Sequence, residues 1–166
     1  RVLMDHITIS PLRHGGPGSG SPANEIRFVG LFTSAAYTQT AQNIPLLRRK
    51  IAHVVTALGY PPQSHAGKAL LNVLDTFPRD ELFQTSPDEL FEISMGILAL
   101  EGRPGVRLFA RKDVFERFVS CMVFVPRERF STELRFKIQD IVEHFYHGTV
   151  TAYYTQVTDM PMSRLH

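Results

Sequence analysis

At 166 residues with a formal net charge of +2, the chain is long enough for one domain and lacks the basic excess that marks a nucleic-acid binder. Hydrophobic residues make up 43% and charged residues 20%, an ordinary globular mixture that excludes disorder throughout. The single cysteine, Cys121, excludes an internal disulfide, and no apolar run approaches the ~18 residues of a membrane span, so a reducing, cytoplasmic setting is expected.

Val2 to Ile9 alternates in the rhythm of a strand. This opening and the uncapped end "MPMSRLH" both look cut, so a piece of a longer polypeptide is expected. "HGGPGSGSP", residues 14–22, reads as a flexible connection. It lacks the Lys-Ser/Thr ending of a phosphate loop and the helix that should follow a dinucleotide fingerprint. "EIRFVGLFT", residues 25–33, reads as a strand buried on both faces. A helix is predicted from about Ile44 to Leu58, with Asn43 as N-cap, Pro45 in the first turn and Gly59 as its stop. Leu47, Ile51, Val54, Val55 and Leu58 would form its apolar stripe. Ser64 caps a second helix carrying Ala69, Leu70, Val73 and Leu74.

The stretch "DTFPRDELFQTSPDELFEISMGILAL", residues 75–100, repeats one tetrapeptide, at 80–83 and 88–91. Paired carboxylates can do acid/base chemistry, but only with neighbours that push their pKa values apart, and none is evident here. They read as helix starts. Ser86 and Glu89 fit a capping box with Pro87 in the first helical position, and Leu90, Ile93, Ile97 and Leu100 form the stripe that follows. Pro78-Arg79-Asp80-Glu81 reads as the same device on a shorter helix.

Val106–Arg111 and Arg117–Val125 read as a hairpin. A helix follows from Phe130 or Ser131 to His147, stopped by Gly148, and 149–157 returns as a strand. The predicted order is β–β–α–α–α–β–β–α–β. The last four elements, with an earlier strand, would make a ferredoxin-like α+β fold, an antiparallel sheet with helices on one face.

His144 and His147 stand one helical turn apart beside Glu143, a spacing that suits a metal, but no other ligand cluster lies near. Cys121 alternates with Val119, Val123 and Val125 and reads as a core residue. Arg107, Phe109 and Arg111 share one face of a strand. An exposed basic and aromatic face of this kind could stack single-stranded RNA, which makes a free-standing RNA-binding module the alternative reading. The near balance of charge speaks against nucleic acid as the partner.

Together, "FVGLFTSAAY" (28–37), "IPLLRRKI" (44–51), "SHAGKALLNVLDTFPRDELFQ" (64–84) and "VRLFARKDVFERFVSCMVFVPRERFSTELR" (106–135) resemble one family. They are similar to the N-terminal, non-catalytic region of the large bacterial NAD-specific glutamate dehydrogenases. The resemblance implies an ACT-like module, in which residues 1–24 are a strand and loop, 25–157 a single ACT-like domain with a helical insertion at about 43–102, and 158–166 the start of the next segment. It implies a parent enzyme that uses NAD to deaminate L-glutamate oxidatively to 2-oxoglutarate. No cofactor, metal or catalytic residue is expected in this segment, because nothing in it matches the family's catalytic lysine or nucleotide-binding glycines. The implied partners are the rest of the same polypeptide and other subunits of a homo-oligomer, with no membrane. ACT-like modules often bind amino acids between sheets, which leaves an amino-acid effector as a candidate. The polar residues of the best-matched segments, Arg48, Arg49, Ser64, His65, Lys68, Arg79 and Asp80, are the expected contacts. Glu116 stands where members of the family usually carry glycine, which bears on any turn that needs a positive φ there.

Overall fold

The computed structural model describes residues 5–9, 25–157 and 161–166. The chain divides into Arg1–Thr40 and Ala41–His166. In the first part, β1 (Asp5–Ile9) and β2 (Ile26–Gly30) pair antiparallel, with Ile7 opposite Phe28, and a single-turn helix, α1 (Ala35–Thr38), follows. Every residue of β2 is exposed, so its β-branched and aromatic composition does not reflect burial on both faces as the sequence suggested. The 14–22 connection lies outside the described residues.

The second part opens with four helices. α2 (Pro45–Leu58) starts one residue later than a cap at Asn43 would set it. Ile44 takes the N-cap place, and Pro45, whose ring presets the helical φ, opens the first turn. Gly59 ends it with φ 64°, a left-handed conformation that glycine adopts without steric cost. α3 (His65–Thr76) is capped by Ser64, which accepts a hydrogen bond from the Gly67 N–H. α4 (Arg79–Gln84) and α5 (Pro87–Gly102) are the two helices begun by the repeated tetrapeptide. Leu47, Ile51, Val54, Leu70, Leu74, Leu82 and Leu90 from these helices are all buried in one core. Each contributes roughly 1.5–3 kcal/mol of apolar burial.

β3 (Arg107–Lys112) and β4 (Val119–Pro126) form the expected hairpin. α6 (Thr132–Tyr146) crosses over to β5 (Thr155–Gln156), and β6 (Met162–Leu165) turns back to lie between β4 and β5. The result is a four-stranded antiparallel sheet in the order β3-β4-β6-β5. The α+β class and the antiparallel sheet are those expected. An earlier strand was expected to complete the sheet; β1 and β2 pair with each other instead, and the place is taken by β6, from residues assigned to a following segment. The helices 45–102 accordingly precede the sheet in the chain.

β4 explains why helices cover both sides of the sheet rather than one. Met122, Val123, Phe124 and Val125 are all buried, and a strand with apolar side chains on alternate faces needs a packed layer on each. Met122 and Phe124 join the core of the four helices, whereas Val123, Val125 and Leu165 pack against Phe130, Leu134 and Ile138 at and within α6. Gly96 of α5 makes room for the ring of Phe109. A Cβ at that position would lie 2.6 Å from the ring, which also packs edge-on to Phe124 at 5.8 Å.

The β3–β4 turn is built on Asp113. Its carboxylate accepts hydrogen bonds from the backbone of Phe115 and Arg117 and a two-pronged contact from the Arg117 guanidinium at 2.7 and 3.0 Å. That guanidinium above all holds the Asp113 pKa down to about 2. The turn requires a positive φ, and Glu116 supplies it at 57° in spite of its side chain. At the end of α6 it is His147, φ 51°, and not the following Gly148 that takes the left-handed place. A left-handed non-glycine residue costs roughly 1–2 kcal/mol, partly offset by the extra unfolded-state freedom that glycine brings. Glu116→Gly is therefore expected to raise stability by up to about 1 kcal/mol, seen as a higher urea midpoint at unchanged slope; a lower midpoint would show that the Lys112–Glu116 contact at 2.7 Å matters more.

Candidate functional site

The two copies of the tetrapeptide differ in what precedes them. In α5, Ser86 occupies the N-cap; its hydroxyl accepts from the Glu89 N–H at 3.3 Å, and the Glu89 carboxylate accepts in turn from the Ser86 N–H at 3.0 Å. In α4 the N-cap is Pro78, which has no side-chain oxygen to offer and no N–H to be capped. Glu81 holds the same third helical position as Glu89, yet has no box to close. Its side chain turns toward the sheet.

There it meets Arg111 of β3. Arg111 Nε donates to Glu81 Oε2 at 2.8 Å and Nη2 to Oε1 at 2.9 Å, a two-pronged pair whose side chains are only 6% and 5% exposed. Arg111 Nη2 also donates to Gln84 Oε1 at 3.0 Å. Removing both charges from water costs several kcal/mol per ion, offset here by the two-pronged geometry and by the further bond to Gln84. The hydrogen bonds that Arg111 donates to Glu81 drive its pKa further up, against the opposing effect of burial.

Other polar groups gather around the pair. Lys50 of α2 donates to the carbonyls of Leu82, Phe83 and Thr85 at 3.1, 2.5 and 2.7 Å, placing a cation on the carbonyl end of α4. Burial chiefly, and Arg111 next, lower the Lys50 pKa. On β6, Arg164 Nη1 donates to the Thr76 carbonyl at 2.8 Å, and burial pushes the Arg164 pKa down to about 10. His166 Nε2 lies 2.9 Å from Ser120 Oγ and 3.8 Å from Glu81 Oε1. The set joins α3 and α4 to β3, β4 and β6.

A serine, a histidine and a glutamate together suggest nucleophilic catalysis, but the geometry is not that of a triad. Ser120 and Glu81 both face Nε2, whereas a relay needs them on opposite ring nitrogens, and Arg111 already occupies Glu81. Cys121 is half-buried, and burial raises its thiol pKa, away from the reactive thiolate. The arrangement can hold a helical block and a sheet in one relative position. An open cleft of about 500 Å³ flanks it, bordered by Asp88, Glu89 and Glu92 of α5 and by Arg111.

The sequence-predicted contacts do not converge on this joint. Arg79 and Asp80 begin α4, and the Asp80 charge reaches His166. Ser64 is the cap of α3 and also donates to the Pro61 carbonyl at 2.6 Å; His65 and Lys68 are exposed on the first turns behind it. Arg48 and Arg49 are exposed on α2, while the adjacent Lys50 is the clamp on α4. His144 and His147 have ring centres 6.4 Å apart, and Glu143 accepts from the Val150 N–H at 2.7 Å; no metal-ligating cluster occurs among the described residues. The Arg107, Phe109 and Arg111 face is not the open platform that RNA stacking requires. Phe109 packs into the helical core, Arg111 is buried, and Arg107 lies 5.4 Å from the Phe109 ring. Sequence reasoning missed Glu81, Arg111, Lys50, Ser120 and His166 as one cluster. The available signal was the missing Ser or Thr before the first tetrapeptide, which frees Glu81 from capping.

Comparison with known proteins follows the same division into helices and sheet. Residues 44–103 match the family model "Glutamate dehydrogenase, helical motif 1", and residues 107–166 match "Glutamate dehydrogenase, ACT2 domain". The chain is 41% identical over 146 residues to the NAD-specific glutamate dehydrogenase of Halomonas elongata, covering 88% of this chain and 9% of that protein. It is 37% identical over 161 residues to the Pseudomonas aeruginosa protein of the same name, covering 97% and 10%. For the Mycobacterium tuberculosis protein of that name the figures are 34% over 142 residues, 86% and 9%. The chain thus spans about a tenth of the length of the curated relatives it matches. No solved structure matches the chain significantly. Among the described residues, no helix is long and apolar enough to cross a membrane.

Two measurements test the joint. Glu81→Ala leaves Arg111 buried without its carboxylate and is expected to cost about 3–5 kcal/mol in urea unfolding, while the double change Glu81→Leu with Arg111→Met is expected to recover most of that. A double variant as unstable as the single one would count against the ion pair as the source of the loss. Burial first, then Arg164 and Arg111, lower the His166 pKa, against the raising effect of Glu81 and Asp80. A histidine depressed in the fold takes up its proton later than in the unfolded chain. Its contribution is therefore complete above about 6.5 and lost as pH falls from there through the depressed folded value. His166→Gln should flatten the stability–pH curve over that window; an unchanged curve would exclude His166 as its source.

Proposed function

Since the chain belongs to the family of NAD-specific glutamate dehydrogenases, we propose that it is a non-catalytic, regulatory or architectural segment of such an enzyme. The parent would oxidatively deaminate L-glutamate to 2-oxoglutarate with NAD bound elsewhere in its chain, in the cytoplasm. The carrying observation is that two adjacent segments match two parts of the same family and share one core, with Arg111–Glu81 at the joint between them. A segment so built transmits position rather than chemistry. Displacing the sheet moves the helices with it, because separating them would strand a buried charge. Its partners would be the rest of the same polypeptide and other subunits of a homo-oligomer. An amino-acid effector held against the sheet would act by biasing the placement of this rigid pair.

The test starts from the natural polypeptide. An antibody raised to the segment should detect a protein several times larger than 18.8 kDa, and the immunoprecipitate should reduce NAD when given glutamate. A band near 18.8 kDa that carries no such activity would overturn the proposal.

A further inference from the structure

Between α2 and α3 lies a second cleft, of about 260 Å³, away from the ion-pair joint. Its floor is apolar: Ile51 and Leu70 are buried and Val55 half-buried. Its rim carries the polar side chains of Gln42, Arg48 and Tyr60. Arg48 has no ion-pair or side-chain hydrogen-bond partner among the described residues, whereas Arg27, Arg111, Lys112, Arg117 and Lys137 are each paired with a carboxylate. An apolar floor, one unneutralised guanidinium and two neutral hydrogen-bonding groups at the mouth define a ligand chemistry. The floor takes a short hydrocarbon body. The guanidinium takes a single carboxylate in its two-pronged geometry, and no second cation lines the cleft to balance a second negative charge.

We propose that the α2–α3 cleft binds a small monocarboxylate with an apolar body, held by Arg48. The volume lies just below the usual range for small-molecule pockets, roughly 300–1,000 Å³, which limits the body to a short branched chain or a single ring. The site belongs to the helical block, apart from the sheet, and its existence does not depend on the parent being a dehydrogenase.

The experiment titrates the 166-residue chain with hexanoate and with phenylacetate, following heat release and the amide resonances of Ala52 and Leu71. Hexan-1-ol and succinate serve as comparisons. Saturable binding of at least one monocarboxylate is expected, with hexanol weaker for want of charge and succinate weaker for want of an apolar body. Arg48→Gln should weaken the monocarboxylate about tenfold or more, the loss of a charge-assisted hydrogen bond, and Arg48→Lys should retain part of it. Ala52→Phe, which fills the cleft from an exposed position on α2, should abolish binding without lowering the melting temperature. The proposal is overturned if neither monocarboxylate binds, if Arg48→Gln binds as tightly as the unaltered chain, or if succinate binds more tightly than hexanoate.

Discussion

One buried ion pair constrains this fold more than any apolar contact does. Burying Leu47 or Leu82 is favourable in many arrangements, since hydrocarbon contact is non-directional. Burying Glu81 and Arg111 is favourable in one. If β3 slipped by a single residue against the helices, Arg111 would pass to the face shared by Leu108 and Ala110, and Glu81 would be left buried alone. The apolar core supplies the stabilisation; the pair selects the alignment in which it is collected. Gly96 adds to that selection by giving the Phe109 ring a single seat on α5.

This explains which parts of the fold the sequence made legible. Helices α2, α3 and α5 announce themselves through apolar spacing and local stops, and the Ser64 and Ser86 caps act within four residues of themselves. Local physics of that range can be read in one dimension. The cluster around Glu81 cannot, because Arg111 lies 30 residues along the chain from it and His166 lies 46 from Ser120. Nothing in the spacing of Arg107, Phe109 and Arg111 tells whether a helix covers their face. A basic and aromatic stripe therefore looks the same on an RNA-binding sheet and in a core whose arginine has found a carboxylate. β6 was missed for a related reason. "MSRL" has only four residues, with a proline just before them, and it becomes a strand because β4 offers it a free edge.

The two family segments are distinct in sequence description but not in energetics. Met122, Phe124 and Met162 of the sheet are packed with Leu47, Leu74 and Leu90 of the helices, and Arg164 closes onto the last turn of α3. Neither part could be removed without exposing apolar surface of the other. What lies on the far side of the sheet is different in kind: α6 has no fully buried residue and leaves Ile141 and Phe145 largely exposed. One face of the sheet is joined firmly to its neighbours, and the other is covered lightly.

The strand order β3-β4-β6-β5 bears on how the chain is made. β5 emerges from the ribosome before β6 but pairs with no other strand, so it has nothing to dock on until residue 165 has been synthesised. The helices, whose contacts are mostly local, can form while the rest is still being translated. The nascent helical block must therefore wait with Glu81 already in place but Arg111 and the returning strand not yet delivered. During that interval Glu81 can stay hydrated, and the charge is buried only when the sheet that neutralises it arrives. Synthesis in the reverse order would have required the opposite arrangement, a finished sheet holding an arginine in search of its acid.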